Sequence, residues 1–213
     1  MRIALFGATG TIGARILKEA LDRGHEVTAI SRDPAKVAVS GAKLKKTAGD
    51  ILQAADVART VAGHDAVVCA VGPKLPAGDP GMLVKAALAL YKGLTQAKVK
   101  RLAIVGGAGS LEVAPGHMLM DSPDFPAAWK PLAAAHHDAL KVYRSIADLD
   151  WSYLSPAAFI EPGARTGKYR TGGEQLVADA AGKSYISAED YAVALLDELE
   201  HPNHIRKRFA VAY

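Results

Sequence analysis

The stretch Gly7-Ala8-Thr9-Gly10-Thr11-Ile12-Gly13 constrains the fold of this chain more than any other, because of its place in the sequence. It follows directly on the apolar run IALF at 3–6 and precedes a segment of helical period at 11–23. In a strand-to-helix turn the first glycine permits a tight turn, the second lets the backbone approach a pyrophosphate, and the third allows close packing of helix on strand. The N–H groups at the start of the helix attract phosphate. The sequence therefore predicts a dinucleotide-binding turn at 7–13.

Strand-like and helix-like segments alternate along the whole chain. Apolar runs of strand length lie at 3–6, 27–30, 66–71, 102–105, 151–154 and 208–213, with a weaker strand segment at 44–49. Segments of helical period lie at 11–23, 52–62, 82–97, 132–147 and 187–200, and Ser187 is the expected N-cap of the last. Alternation of this kind requires parallel strands joined by helical crossovers. It predicts an α/β fold with a doubly wound parallel sheet and a small C-terminal extension.

Composition favours a single domain over residues 1–213. The chain is 50% hydrophobic, and no Pro/Gly/Ser-rich linker divides it. The net charge of +4 comes from short, separated basic clusters, so we expect no nucleic-acid partner. No apolar run approaches the roughly 20 residues of a membrane span. The lone Cys69 lies in the apolar run AVVCAV and forms no intramolecular disulfide, which favours a reducing cytoplasm.

The residues after the second predicted strand bear on the choice of dinucleotide. NAD-binding folds usually place an acidic residue there for the ribose 2′-OH, whereas this chain has Ser31 and Arg32. An arginine can bind a 2′-phosphate through two parallel hydrogen bonds, so the sequence favours NADP. The alternative is that Arg32 pairs with Asp33 on the surface, and Asp33 could then reach a ribose and allow NAD. Asp50 is placed to accept from the adenine amino group or to cap the next helix.

Several motifs resemble one known superfamily over nearly the whole chain. They are GATGTIG at 7–13, SRDP at 31–34, GD at 49–50, VGGAGSLEVAPG at 105–116, DSPDFP at 121–126, SPAAFIEPGARTGKYR at 155–170 and ISAEDYAVALLDELEHP at 186–202. Together they resemble the atypical short-chain dehydrogenase/reductase superfamily, in the branch of NmrA-like proteins and biliverdin-IX-beta (flavin) reductases and its bacterial NADH-flavin reductase group. The resemblance implies a Rossmann-type fold with reduced nicotinamide as hydride donor.

The resemblance also implies a set of site residues at the carboxyl ends of the strands. Phosphate contacts fall to Gly7, Thr9, Gly10, Thr11 and Ile12, and the 2′-phosphate contact to Arg32. The ribose and nicotinamide contacts fall to Ala70, Val71, Gly72, Pro156, Ala157, Ala158 and Phe159. Ser110 matches a serine or threonine held near the nicotinamide and the substrate, although it could equally satisfy the backbone of its own loop.

The stretch AHHDALKVY at 135–143 looks like a Tyr-x-x-x-Lys proton relay with His137 in place of tyrosine. At about 100° per residue, His137 and Lys141 fall on the polar face. The inward stripe instead carries Leu132, His136, Ala139, Leu140, Tyr143, Ile146 and Ala147. A Tyr-Lys pair is absent in either register. His136 is therefore the second candidate catalytic residue, with a buried structural histidine as its alternative.

These observations favour an NADPH-dependent reductase, because hydride transfer to an easily reduced acceptor needs no tyrosine proton donor. The expected acceptor is a planar small molecule such as a flavin or a quinone. A non-catalytic NADP sensor is the alternative, and an epimerase or isomerase the third reading. The segment 107–131 is expected to form a lid, in which Phe125 and Trp129 could stack on the acceptor or pack the lid. The histidines show no ligand spacing, so we expect no metal site.

Overall fold

The computed structural model describes residues 1–73 and 78–213, and most of its strands form one mixed sheet. The strands are β1 Arg2–Phe6, β2 Glu26–Ser31, β3 Leu44–Ala48, β4 Ala66–Cys69, β5 Arg101–Val105, β6 Glu112–Ala114, β7 His117–Met118, β8 Asp150–Ser155, β9 Phe159–Glu161, β10 Arg170–Gly172, β11 Tyr185–Ser187 and β12 Lys207–Ala212. Eight of them form a sheet in the order β10-β12-β8-β5-β4-β1-β2-β3. Its neighbours are parallel except for β10 and β12.

Five α-helices within the described residues cover the two faces of this sheet. They are α1 Thr11–Asp22, α2 Ala54–Val61, α3 Met82–Ala97, α4 Lys130–Arg144 and α5 Ala188–Glu200. Helices α1 and α5 pack together on one face, while α3 contacts both α2 and α4 on the other. Each face has its own buried cluster, with Leu5, Val68 and Tyr191 in the first and Phe6, Leu90 and Trp151 in the second. The predicted Rossmann-type α/β fold is confirmed.

The order of strands fixes where a ligand can bind. From β1 the chain winds outward to β2 and β3, and then returns to the other side of β1 through β4. Open parallel sheets bind ligands in the crevice outside the carboxyl ends of the strands at such a reversal. The crevice here lies between the turn that follows β1 and the residues that follow β4.

Some predicted boundaries are wrong at their ends. The strand predicted at 66–71 ends at Cys69, because Ala70 and Val71 turn away over the glycine turn of β1. The helix predicted at 132–147 ends at Arg144, and Ser145 caps its C-terminus. Ala147 is therefore exposed rather than on the inward face.

The predicted C-terminal extension is for the most part a component of the core. Helix α5 and strand β12 complete the layered sheet, and the short antiparallel β10 widens it by one strand. Strands β9 and β11 form a separate parallel pair. As predicted, Ser187 caps α5, with its side chain accepting from the Asp190 N–H at 3.0 Å. Within the described ranges, no helix is long and apolar enough to cross a membrane.

Candidate functional site

The turn between β1 and α1 is built so that only glycine fits at two of its positions. Gly7 has φ +90°, and a Cβ added there would lie 2.4 Å from the Ala70 carbonyl oxygen. A Cβ on Gly13 would lie 2.0 Å from the Gly7 carbonyl oxygen. Distances this short are far inside van der Waals contact. The two glycines therefore pack the first turn of α1 directly against the ends of β1 and β4.

The N-terminus of α1 offers unpaired backbone donors. The Gly10 N–H donates to Gly7 O at 3.0 Å, and the Ala14 N–H donates to Gly10 O at 2.9 Å. Between them, the N–H groups of Thr11, Ile12 and Gly13 have no hydrogen-bond partner within the described part of the chain. The N-cap Gly10 brings no side chain, and the first turn has no acidic residue. Free N–H groups at the positive end of a helix dipole fit a phosphate group.

The end of β2 carries a further polar group that lacks a partner. The Ser31 hydroxyl oxygen is buried and accepts or donates no hydrogen bond among the described residues. Arg32 next to it is exposed and forms no ion pair within residues 1–73 and 78–213. The alternative surface pair between Arg32 and Asp33 does not form, since Asp33 pairs with Lys36 at 3.2 Å. Within the described residues, the end of β2 therefore carries a hydroxyl and a guanidinium without protein partners, and the 2′-phosphate contact of Arg32 stays a prediction.

Asp50 does not cap α2, whose N-cap Gln53 has no side-chain cap hydrogen bond, so the capping alternative is wrong. Its Oδ1 accepts from the Leu52 N–H at 3.0 Å, and its own N–H donates to Asp56 Oδ2 at 3.0 Å. These contacts shape the turn that leads into α2. The adenine contact of Asp50 stays a prediction.

The other predicted cofactor residues gather at the same edge of the sheet. The Ala70 N–H donates to Phe6 O at 2.9 Å, which carries the residues after β4 beside the glycine turn. Gly72 is exposed, while Pro156 and Ala157 are buried behind the end of β8. Phe159 is 70% exposed. An apolar ring so open to solvent is available for contact with a bound molecule, and its contact with the nicotinamide stays a prediction.

The loop after β5 packs its backbone tightly against α4 and β8. Added Cβ atoms would lie 2.2 Å from the Tyr153 ring at Gly106, 2.9 Å from the His136 ring at Gly107 and 2.4 Å from the Ala133 Cβ at Gly109. All three positions exclude a side chain unless their neighbours move. Residues 106–109, directly after β5, therefore contribute backbone groups and no side-chain hydroxyl.

Ser110 lies at the end of this loop with its side chain directed into the protein. It is 5% exposed, and its hydroxyl oxygen accepts from an Arg208 guanidinium N–H at 2.7 Å. The same arginine donates to Ser110 O at 3.0 Å and also binds the Glu174 carboxylate, which in turn pairs with Arg144. The catalytic role of Ser110 stays a prediction, and this geometry favours its structural alternative.

His136 lies on the inward face of α4, as predicted, and is held by Tyr153. Its Nδ1 is 3.2 Å from the Tyr153 hydroxyl, and that hydroxyl donates to the His136 carbonyl oxygen at 3.1 Å. Together these two contacts fix the orientation of the imidazole ring against β8. Burial lowers the pKa of His136 to about 4, so the ring is neutral at physiological pH. At physiological pH the neutral ring can orient a ligand by hydrogen bonding, but it has no acidic proton to transfer.

We expect the stability of the fold to depend on pH through His136. A histidine with a lower pKa in the folded state binds fewer protons than in the unfolded state, so stability falls as pH drops from about 6.5 toward about 4. Between pH 6.5 and 4.5, the wild type should lose about 1 kcal/mol per pH unit more than His136→Gln. Urea unfolding at several pH values measures this. His201→Gln, at an exposed histidine, is the control and should behave like the wild type; equal pH profiles for all three proteins would contradict the assignment.

The predicted polar face of α4 is confirmed at Lys141, whereas His137 is half-buried and its Nδ1 is shielded from solvent. Lys141 is exposed and pairs with Asp138 at 3.0 Å, one turn away from His137. Cations at Lys141, Arg144 and Arg208 add to burial in lowering the pKa of His137. His137 and Lys141 share no hydrogen bond within the described residues, so they do not replace a Tyr-Lys relay by direct contact.

Three residues with a role around the site were not singled out in the sequence. Arg208 anchors the loop after β5, Tyr153 holds His136, and Arg15 reaches back along α1 to the phosphate turn. Arg208 and Tyr153 sit in apolar strand segments, where a charged or hydroxyl-bearing residue signals an internal partner. The sequence therefore indicates that each side chain has an internal partner, but it does not identify that partner.

Comparison with known proteins places the chain in a family. The sequence pattern of a family described as NAD(P)H-binding matches residues 7–202. A protein of Burkholderia pseudomallei, provisionally named an exported protein, is 48% identical with a TM-score of 0.92 over 100% of both chains. One from Bacteroides thetaiotaomicron, provisionally named an epimerase, is 41% identical with a TM-score of 0.91 over 100% of this chain and 96% of that one.

A third solved structure carries a name that matches the predicted group. The Streptococcus pneumoniae protein, provisionally named an NADH-flavin reductase, is 34% identical with a TM-score of 0.88 over 100% of this chain and 99% of that one. The pattern match begins at Gly7, the first glycine of the phosphate turn. The chain belongs to the NAD(P)H-binding family, in agreement with the dinucleotide-binding turn that its motifs predicted.

Proposed function

We propose that this protein is an NADPH-dependent reductase that transfers hydride to a flavin, a quinone or a similar planar acceptor. The observation that carries the proposal is the N-terminus of α1, where three unpaired N–H groups face the crevice at the reversal of the sheet. The Ser31 hydroxyl and Arg32 support NADPH as the donor, with NADH as a weaker one. When bound, the dinucleotide supplies the hydride.

The residues of the chain itself position the reactants. Gly7 and Gly13 pack the start of α1 against the ends of β1 and β4, Gly10 would let the backbone approach the pyrophosphate, and the segment from Pro156 to Phe159 would pass over the nicotinamide. Holding donor and acceptor together and excluding water are the contributions a protein makes to such a reaction. His136 offers a fixed, neutral imidazole for orienting a polar edge of the nicotinamide or the acceptor.

Neither candidate catalytic residue is suited to donate a proton, and this bears on the class of acceptor. Ser110 is engaged by Arg208, and His136 is neutral with its Nδ1 directed at Tyr153. Reduction of a ketone needs a proton delivered to a developing alkoxide, whereas flavins and quinones can take protons from water. A planar, easily reduced acceptor therefore suits this site better than a carbonyl substrate.

An absorbance assay tests the proposal. Purified protein mixed with NADPH and a panel of FMN, riboflavin and quinones should give loss of absorbance at 340 nm in proportion to protein concentration. No loss above the protein-free rate with any acceptor would overturn the reductase proposal. Replacement of NADPH by NADH should slow the reaction at limiting nucleotide.

A sensor that binds NADP without turnover is the second candidate. The hydrogen bond from Arg208 to the Ser110 hydroxyl favours it, because a site whose serine is already engaged can hold a nucleotide without chemistry. Saturable NADPH binding without consumption in the acceptor panel would select the sensor. The Bacteroides relative named as an epimerase adds a third candidate. Epimerases of this superfamily rely on a Tyr-Lys pair, which the α4 segment lacks.

The effect of Ser110→Ala separates a catalytic from a structural serine. We expect NADPH oxidation to change by at most a few-fold, while the free energy of unfolding falls by about 1 kcal/mol because Arg208 loses one acceptor. Initial rates and urea unfolding measure the two effects. A drop in turnover of about a hundredfold or more, without loss of stability, would show instead that the hydroxyl acts in the reaction.

The proposal also includes the partners of the protein and its cellular compartment. We propose a small planar acceptor as the partner, with no nucleic-acid or membrane partner. The cytoplasm is the proposed compartment, supported by the single buried Cys69 and by the use of NADPH. Fractionation of cells expressing the natural protein, followed by immunoblotting, tests this; recovery outside the cytoplasm would contradict it.

A further inference from the structure

One cation lies where the electrostatics of a helix disfavour it. Arg15 is on α1, and its guanidinium reaches back to donate to Thr11 O at 3.1 Å. Helical side chains lean toward the N-terminus, so a long side chain one turn inside the helix lies beside its first residues. A positive charge near a helix N-terminus opposes the helix dipole. The first turn of α1 also lacks the acidic residue that would compensate.

A carboxylate from another helix balances this charge. Arg15 Nε donates to Glu189 Oε1 at 3.0 Å, and Glu189 Oε2 accepts from the Gly163 N–H at 2.7 Å. The Arg15 and Glu189 side chains are 30% and 23% exposed, so solvent and ligands reach the pair. The Arg15 Nη2 group makes no hydrogen bond among the described residues. Arg15 therefore has both an unused donor and a partner that an anion could replace.

We propose that Arg15 binds the pyrophosphate of the dinucleotide and exchanges Glu189 for it when the nucleotide enters. The proposal rests on the nucleotide binding proposed above. Three free N–H groups and one guanidinium would then surround the two phosphates at the start of α1. An arginine matches the paired oxygens of a phosphate better than it matches a single carboxylate oxygen. Glu189 would still accept from the Gly163 N–H, so nucleotide binding would change the contacts of the segment after β9.

The alternative is that Arg15 only fastens this segment to α1 through Glu189. The two interpretations predict different effects on nucleotide affinity when the Glu189 charge is removed. If Arg15 binds pyrophosphate, removing the Glu189 charge frees it and leaves nucleotide affinity equal or higher. If Arg15 acts only through Glu189, loss of either charge loosens the segment and weakens binding alike.

Fluorescence titration of Arg15→Gln and Glu189→Gln distinguishes the readings. We expect Arg15→Gln to lower the affinity for NADPH and NADH by the same factor of about ten, the loss of one charge-assisted hydrogen bond. Its affinity for 2′-AMP, which has no pyrophosphate, should not change. Glu189→Gln should bind NADPH as tightly as the wild type or more tightly. Arg15→Lys should fall between Arg15→Gln and the wild type.

A matched control is Lys18→Gln, which removes the same charge from the same helix. Lys18 is exposed and pairs with Asp22, away from the phosphate turn, so its loss should leave nucleotide affinity unchanged. Unchanged NADPH affinity in a folded Arg15→Gln protein, or equal weakening by Glu189→Gln, would overturn this inference alone. A wild type that binds neither dinucleotide would overturn the proposed function as well.

Discussion

Gly13→Ala is expected to lower NADPH affinity about a hundredfold, because the added methyl group would lie 2.0 Å from the Gly7 carbonyl oxygen. Relief of that contact requires the start of α1 to move by about an ångström, which displaces the N–H groups that face the phosphates. The same change should lower the free energy of unfolding by about 1–3 kcal/mol. In an open helix position, glycine to alanine would instead stabilise the protein by about 1 kcal/mol. Titration and urea unfolding measure both effects.

The control for this change is a glycine in open space. An alanine Cβ at Gly41 would meet nothing within 4 Å, so Gly41→Ala should leave both affinity and stability close to those of the wild type. If Gly13→Ala binds NADPH as Gly41→Ala does, the phosphate turn is not where the dinucleotide binds.

Arg32→Ala is expected to lower the affinity for NADPH by about tenfold to a hundredfold and to leave the affinity for NADH unchanged. The two nucleotides differ only in the 2′-phosphate, which an arginine can bind through two charge-assisted hydrogen bonds. Arg32 is exposed, and within the described residues no acidic side chain competes for it, since Asp33 is paired with Lys36. Parallel titrations of both nucleotides measure the change in preference.

Lys45→Ala tests whether the loss comes from a specific contact or from the positive charge of this surface in general. It removes an exposed positive charge from the neighbouring strand β3 and leaves the Asp33–Lys36 pair in place, so it should lower NADPH affinity much less than Arg32→Ala does. Equal losses from both substitutions, or an unchanged NADPH preference in Arg32→Ala, would show that Arg32 is not the 2′-phosphate ligand.

The fold was predictable because its signals are local. A glycine turn after an apolar run, apolar periodicity and the Ser187 cap each act within a few residues, and all of them agree with the layered sheet. Boundaries were less predictable. Ala147 continues the apolar stripe of α4 in sequence, but the helix has already ended at Arg144.

The candidate site was only partly predictable, because some of its contacts join distant residues. Ser110 reads as a free hydroxyl in sequence, yet its partner Arg208 lies 98 residues further along the chain. The Arg15 and Glu189 pair spans 174 residues. His136 was placed on the inward face by helical period alone, whereas its contact with Tyr153 depends on how α4 packs on β8. Periodicity gives the direction of a side chain, and packing gives its partner.

Direct titration of the wild-type protein tests most simply whether the turn at residues 7–13 holds a nicotinamide dinucleotide. Reduced nicotinamide fluoresces, so binding is followed by its change in emission as protein is added. We expect saturable binding of NADPH at a single site, weaker binding of NADH, and displacement of both by NADP. No saturable binding of either reduced nucleotide would contradict this expectation.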